Sequence, residues 1–106
     1  MEPLVLTVDI GTQSIRALLS KKDGTFYDVY QQKYETPYYS SAPFRAEQKP
    51  DFYFDELCEV CKKLTERNPD VIKDIICVTV TLIRDTVMCL DKDKKPLRDI
   101  ILWLVF

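Results

Sequence analysis

From Asp9 to Arg16 the chain reads Asp-Ile-Gly-Thr-Gln-Ser-Ile-Arg, which gathers a carboxylate, a glycine, two hydroxyls and a guanidinium into a few positions. That set suits a phosphate and its metal. Gly11 lets backbone approach a phosphate closely, and the turn N–H groups with the Thr12 and Ser14 hydroxyls can donate to its oxygens. Asp9 can hold a hydrated Mg²⁺, which keeps most of its waters and so needs only one carboxylate. No G-x-x-x-x-G-K-[ST] occurs, which excludes the helix-based phosphate loop. A plainer reading serves the same residues: a tight hairpin in which Gly11 supplies a positive φ and Thr12 and Ser14 cap the turn. On the motif alone both readings stand.

Two further segments carry polar residues close together. Arg84 and Asp85 are adjacent opposite charges, which by themselves read as a weak surface ion pair at a strand start. Arg45-Ala46-Glu47-Gln48-Lys49-Pro50 runs into Phe52-Tyr53-Phe54 and reads as a helix start with Asp51 as N-cap, a structural role needing no ligand.

The four cysteines raise metal and disulfide chemistry and then argue against it. Cys58 and Cys61 form a C-x-x-C, but Cys77 and Cys89 make no second pair at zinc-ribbon spacing and the chain has no histidine. The pair also lies inside a segment that reads as helix rather than at a helix N-terminus, so both are expected in the core. The formal net charge of -2 and pI near 5.1 give no basic field for nucleic acid or anionic lipid. The N-terminal apolar run is broken by Asp9 and lacks a basic lead-in, so neither a signal peptide nor a membrane span is expected, and the cytoplasm is the expected compartment.

These residues need elements to hold them. Leu4 to Ile10 and Ile15 to Ser20 read as the two strands of a hairpin, and Asp23-Gly24 supplies a second turn into a third strand, Phe26 to Thr36. Pro37 to Lys49 is without period and reads as a loop. A helix of about sixteen residues follows from Pro50-Asp51 to Asn68-Pro69, with Phe54, Leu57, Cys58, Cys61 and Leu64 in one apolar stripe. Ile75 to Thr81 is nearly all apolar and β-branched, as in a parallel strand buried on both faces. Thr86 to Leu90 and Ile100 to Trp103 read as short strands around the polar turn Asp91 to Pro96. At 106 residues the chain is one domain at most. Its predicted class is α/β: a mixed sheet opening with three antiparallel strands, then a helix and a strand beside the first. That is the N-terminal portion of a ribonuclease-H-like, actin-like ATPase fold, a layout that names a superfamily and no activity.

The motifs narrow this further. Asp9 to Arg16 resembles the D-x-G-T-x-S-x-R sequence that opens the FGGY carbohydrate kinases. Arg45 to Pro50 with its aromatic cluster resembles that family's W-x-E-Q-x-P segment. Arg84-Asp85-Thr86, then Leu90-Asp91, Lys95-Pro96-Leu97 and Ile101-Leu102-Trp103, resembles its Q-R-[ED]-T, L-D-x-x-G-x-P-L and I-L-W-x-D-x-R in the same order. Ile83 stands where a Gln is usual, Lys94 where the turn usually has Gly, and Val105-Phe106 replace the D-x-R ending.

The resemblance implies an ATP- and Mg²⁺-dependent transfer of a γ-phosphoryl group to a sugar or polyol hydroxyl. It puts Gly11, Thr12, Gln13, Ser14 and Arg16 at the phosphates, Asp9 on the metal side, and Arg84 and Asp85 on substrate hydroxyls, where a donor fork and an acceptor suit an alcohol. Members of the family are several times longer, so residues 1–106 are expected to be a partial N-terminal domain. The second domain and the proton-accepting aspartate would then lie outside it. Such a piece is expected to be inactive alone, with exposed core surface through which copies can self-associate. A non-catalytic truncated module of the same fold is the alternative. Another ATPase of the actin-like fold or a nuclease ranks below it, the nuclease because the strand Ile75 to Thr81 carries no carboxylate to complete a two-metal site.

Overall fold

The computed structural model describes residues 2–104, so Val105 and Phe106 of the expected ending lie outside the described residues. Strands β1 (Leu4–Ile10) and β2 (Ser14–Lys21) form the first hairpin, and β3 (Phe26–Lys33) follows the Asp23-Gly24 turn. Gly24 sits at φ +89° and the Asp23 carboxylate accepts from the Thr25 N–H and hydroxyl, so the turn forms for the reason its sequence gives. A two-residue β4 (Glu47–Gln48) precedes helix α1 (Phe52–Arg67), a short 3-10 helix (Pro69–Asp74) leads into β5 (Ile75–Thr81), and β6 (Ile100–Ile101) comes near the end.

The main sheet has the order β3-β2-β1-β5, with the first three strands antiparallel and β5 parallel to β1. This is the predicted opening of a ribonuclease-H-like sheet. Alternation along β1 buries Leu4, Leu6, Val8 and Ile10 on one face, where Ile15, Ala17 and Leu19 of β2 join them. Helix α1 covers that face chiefly over β2 and β3, and contributes Val60 and Leu64, both fully buried. Each is worth about 1.5–3 kcal/mol of apolar burial. Across the helix and β3, Arg67 holds Asp28 through Nε at 2.8 Å and Nη2 at 2.9 Å. Asn68 ends α1 by donating to the Leu64 carbonyl at 2.9 Å.

The structure corrects several expectations. The helix has the predicted length, but its buried stripe is Tyr53, Leu57, Val60, Cys61 and Leu64; Phe54 and Cys58 are exposed. The apolar positions admit two helical phases, and the other one packs. Cys58 is therefore a surface thiol and Cys61 a half-buried one. Asp51 precedes the helix without a side-chain capping hydrogen bond. β3 stops at Lys33, short of Thr36, and β5 is parallel as expected but open to solvent: Ile76, Val78 and Val80 are exposed at 71%, 61% and 44%.

The segment Thr86 to Leu90 is held only by isolated bridges, Val87 to Ile101 and Leu90 to Pro96. The Asp91 to Lys95 turn is present, and Lys94 adopts φ 64°, the left-handed conformation a glycine takes most easily. The partner of β6 proves to be β4, pairing Glu47 with Ile101 and Gln48 with Ile100. Ala46, Ile100 and Leu102 form a second small core beneath this ladder.

Candidate functional site

Parallel strands β1 and β5 both end at one edge of the sheet, and the loops that follow them meet there. Residues Ile10, Gly11 and Thr12 after β1 face Ile83, Arg84 and Asp85 after β5, and Trp103 closes the third side. Together they line a cavity of about 320 Å³, at the lower end of the roughly 300–1,000 Å³ of small-molecule sites. The carboxyl ends of parallel strands are where open α/β sheets bind ligands, because loops there converge without a strand in the way.

The hairpin tip is tight. The Gly11 N–H donates to the Ser14 carbonyl at 2.9 Å, and a Cβ on Gly11 would come within 2.9 Å of that same oxygen. Gly11 is thus required by close approach; the positive φ expected of it is not found, as Gly24 is the glycine with positive φ. Tyr34 secures the tip from the side: its N–H donates to the Gln13 carbonyl and its hydroxyl to the Gly11 carbonyl, each at 3.0 Å. The Tyr34 ring packs edge-on to Phe52 and Tyr53 with centroids 5.0 and 6.0 Å apart. Burial pushes its phenol well above the usual tyrosine range, so it acts as a fixed donor at all ordinary pH values.

Thr12 is held differently. Its Oγ accepts from the Trp103 indole N–H at 3.0 Å, which leaves the threonine proton free to donate into the cavity. Arg84 and Asp85 are exposed, and Asp85 adopts φ 57°. They do not pair with each other among the described ion pairs, contrary to the plain salt-bridge reading, so both charged groups are available to a ligand.

The remaining predicted residues lie around this cavity rather than on its wall. Asp9 and Arg16 are cross-strand neighbours, joined by Arg16 Nη1 to Asp9 Oδ2 at 2.8 Å. They project from the sheet face opposite α1. Ser14 is buried, its hydroxyl accepting from Gln31 Nε2 at 3.3 Å, and Gln13 is exposed at the tip. The structure therefore brings Gly11, Thr12, Arg84 and Asp85 together, and sets Asp9, Gln13, Ser14 and Arg16 beside them. No group of three or more metal-binding side chains occurs among the described residues. Asp9, bonded to Arg16, and Asp85 are the carboxylates at this end of the sheet, a set that fits only a cation that keeps most of its water.

Sequence reasoning missed Tyr34 and Trp103. Tyr34 gave no signal beyond a place near the end of β3, whereas Trp103 is the chain's only tryptophan and directly follows β6 and Leu102. A neighbouring apolar cavity of about 270 Å³ shares Ile10 and Ile83 and includes Tyr53. The Tyr53 hydroxyl is buried without a hydrogen-bond partner among the described residues, and burial pushes it up to about 12.

The order of strands and helix in this sheet is that of the opening of one family of domains. Residues 4–105 match the N-terminal domain of the FGGY family of carbohydrate kinases, and the chain belongs to that family. It is 32% identical over 103 residues to the glycerol kinase of Thermococcus gammatolerans, covering 97% of this chain and 20% of that protein. The gluconokinase of Bacillus subtilis is 28% identical over 103 residues, covering 97% of this chain and 19% of it. The crystal structure of xylulose kinase from Rhodospirillum rubrum superimposes with a TM-score of 0.82 at 27% identity, over 97% of this chain and 21% of that one. The chain thus spans about a fifth of the length of the relatives it matches. The ribonuclease-H-like architecture expected from the element order is the one found. No helix among the described residues is long and apolar enough to cross a membrane.

Proposed function

We propose that this chain is the substrate- and phosphate-facing part of an ATP-dependent kinase that phosphorylates a hydroxyl of a small polyol or sugar acid. The observation that carries the reading is the meeting of the Gly11-Thr12 tip with Arg84, Asp85 and Trp103 around one cavity. The curated relatives are glycerol kinases and gluconokinases, both of which by name act on polyhydroxy compounds. When bound, ATP with Mg²⁺ would supply the transferable phosphoryl group and neutralise its charge.

The chain's own residues would then divide the work. Arg84 offers several N–H donors in a fixed fork and Asp85 two acceptor oxygens, so together they can hold vicinal hydroxyls in one orientation. Trp103 gives the cavity an apolar wall against the carbon skeleton and fixes the Thr12 side chain through its N–H. Thr12 can then donate its proton to a phosphate oxygen, and the N–H groups of the hairpin add further donors. Gly11 keeps the tip thin enough for that approach. Gln13, Ser14 and Arg16 lie on the phosphate side of this scheme, and the Ser14 hydroxyl, which accepts from Gln31, keeps its own proton to donate. Asp9 would hold the hydrated metal, with Arg16 turning from Asp9 to the phosphates. Positioning of this kind, rather than covalent chemistry, is what phosphoryl transfer asks of a protein.

The test is a backbone NMR titration of the chain with glycerol and with gluconate. The expected result is a set of shift changes confined to Gly11, Thr12, Arg84, Asp85 and the Trp103 indole. Changes centred elsewhere, on α1 or β3 for example, would contradict the reading.

A further inference from the structure

The ladder that carries Trp103 is only two residues long on each side, and so short a ladder specifies its own register weakly. A slip of one residue would turn every side chain beyond it to the other face, and a slip of two would move Trp103 by about 7 Å. Yet the Trp103 indole meets Thr12 at hydrogen-bonding distance. The small core of Ala46, Ile100 and Leu102 resists the one-residue slip, so a further device is needed chiefly against the two-residue one.

Two ion pairs span it. Glu47, only 6% exposed, accepts from Arg98 Nη2 at 2.9 Å and from Ser41 Oγ at 3.1 Å. Lys49 donates from Nζ to Asp99 Oδ2 at 3.0 Å and stands 5.1 Å above the Tyr39 ring. The Tyr39 hydroxyl donates to the same Asp99 oxygen. Between them the buried Gln48 amide donates to the Thr36 and Pro37 carbonyls at 2.8 and 3.1 Å, tying β4 to the preceding loop. Continuing the observed pairing outward sets Lys49 opposite Asp99. A two-residue slip in one direction would set Glu47 opposite Asp99 instead, carboxylate against carboxylate, with Lys49 parted from Asp99. The charges therefore reward one register and penalise that alternative.

We propose that Glu47, Lys49, Arg98 and Asp99 are positioning residues: a crossed pair of ion bridges that sets the register of β6 and so places Trp103 on Thr12 at the wall of the cavity. The functional weight of this device rests on the kinase reading above, while its geometry does not. None of the four lines the cavity, so they act through Trp103. The Val87 to Ile101 bridge extends the same ladder toward Thr86 and the Arg84-Asp85 turn, so the device also braces the opposite wall.

The experiment reads Trp103 directly, because it is the chain's only tryptophan. Acrylamide quenching of its emission and hydrogen exchange of its indole N–H are measured in the intact chain and in Arg98→Met, Asp99→Asn and the double variant. Trp103 is 52% exposed, so its release should raise the quenching constant by up to about twofold, most in the double variant, with faster indole exchange. Tyr34 and Phe52 belong to the other core, and their near-ultraviolet signal should hold nearly steady, as it would not if the substitutions merely loosened the fold. Should a variant fail to fold, the intact chain is compared in 0.05 M and 1 M KCl. Screening of the half-exposed Arg98 and Lys49 pairs should speed indole exchange severalfold. An indole that is indifferent both to salt and to every variant that folds overturns the proposal. None of these readouts uses a polyol or a nucleotide, so the positioning claim fails or stands separately from the kinase reading.

Discussion

Replacing Gly11 by alanine tests the hairpin geometry on which the site depends. The added Cβ would lie 2.9 Å from the Ser14 carbonyl oxygen, closer than side-chain carbons approach backbone oxygens. That oxygen is itself fixed by the Gly11 N–H at 2.9 Å, so the tip must open to relieve the contact. Overpacking of this kind costs about 1–3 kcal/mol, and a chain of this size holds about 5–15 kcal/mol in all. At about 4–8 °C per kcal/mol, the melting temperature of Gly11→Ala should fall by roughly 4–24 °C. Thr12 is next in the chain, so the same variant should free the Trp103 indole and change its fluorescence. Gly24→Ala supplies the contrast. Nothing lies within 4 Å of its added Cβ, but its φ of +89° disfavours a side chain, which predicts a loss of about 1–2 kcal/mol with Trp103 unchanged. Thermal unfolding followed by circular dichroism and by tryptophan emission reads both. A Gly11→Ala chain with unaltered melting and unaltered Trp103 emission would refute the close-approach argument.

Further expectations follow from burial and charge. Leu64→Ala should destabilise the chain by about 2–5 kcal/mol, whereas Phe54→Ala, on the exposed side of α1, should change stability by about 0.5 kcal/mol or less; urea midpoints decide which helical phase packs. Asp28 is held below its ordinary value of 3.8, first by its bond from Arg67 and then by that from Asn68. Because the folded value is the lower one, the stability it adds is present above pH 3.8 and disappears as the pH falls through the folded value. Asp28→Asn should accordingly flatten the acid limb of the stability profile. Cys58, Cys77 and Cys89 are exposed while Cys61 is half-buried with its thiol pushed up by burial, so a thiol reagent at pH 8 should show three fast cysteines and one slow one.

The main sheet and α1 were legible because each has a run long enough to show its period. β1 and β2 alternate over seven and eight residues, and the sixteen residues of α1 show their stripe. The phase of that stripe was not legible, since Leu57, Cys61 and Leu64 serve both alternatives and the hydroxyl of Tyr53 disguises a buried ring. The β-branched residues of β5 announce a strand made for a covered sheet, yet Val78 and Val80 lie on the α1 side of the sheet with α1 centred elsewhere, and are exposed. β4 and β6 were invisible for another reason: two residues have no period, and Glu47 and Ile101 meet across about half of the chain. The site was legible in its charged and hydroxyl residues, which motif order points to. Its supports, Tyr34 and Trp103, were not, because an aromatic residue gives no sign in sequence that its polar atom has a specific partner.

In the proposed kinase Arg84 and Asp85 hold the accepting hydroxyls opposite the Gly11-Thr12 tip. The most direct measurement of this is made with this chain in place of the matching first fifth of the Thermococcus gammatolerans glycerol kinase, with glycerol-dependent ADP formation as the readout. Loss of a charged hydrogen-bond partner is worth about 1.5–3 kcal/mol, so Arg84→Ala should lower kcat/KM for glycerol by about 10–150-fold, with Asp85→Ala acting in the same direction. An active hybrid whose kcat/KM for glycerol is unchanged by Arg84→Ala would contradict the account.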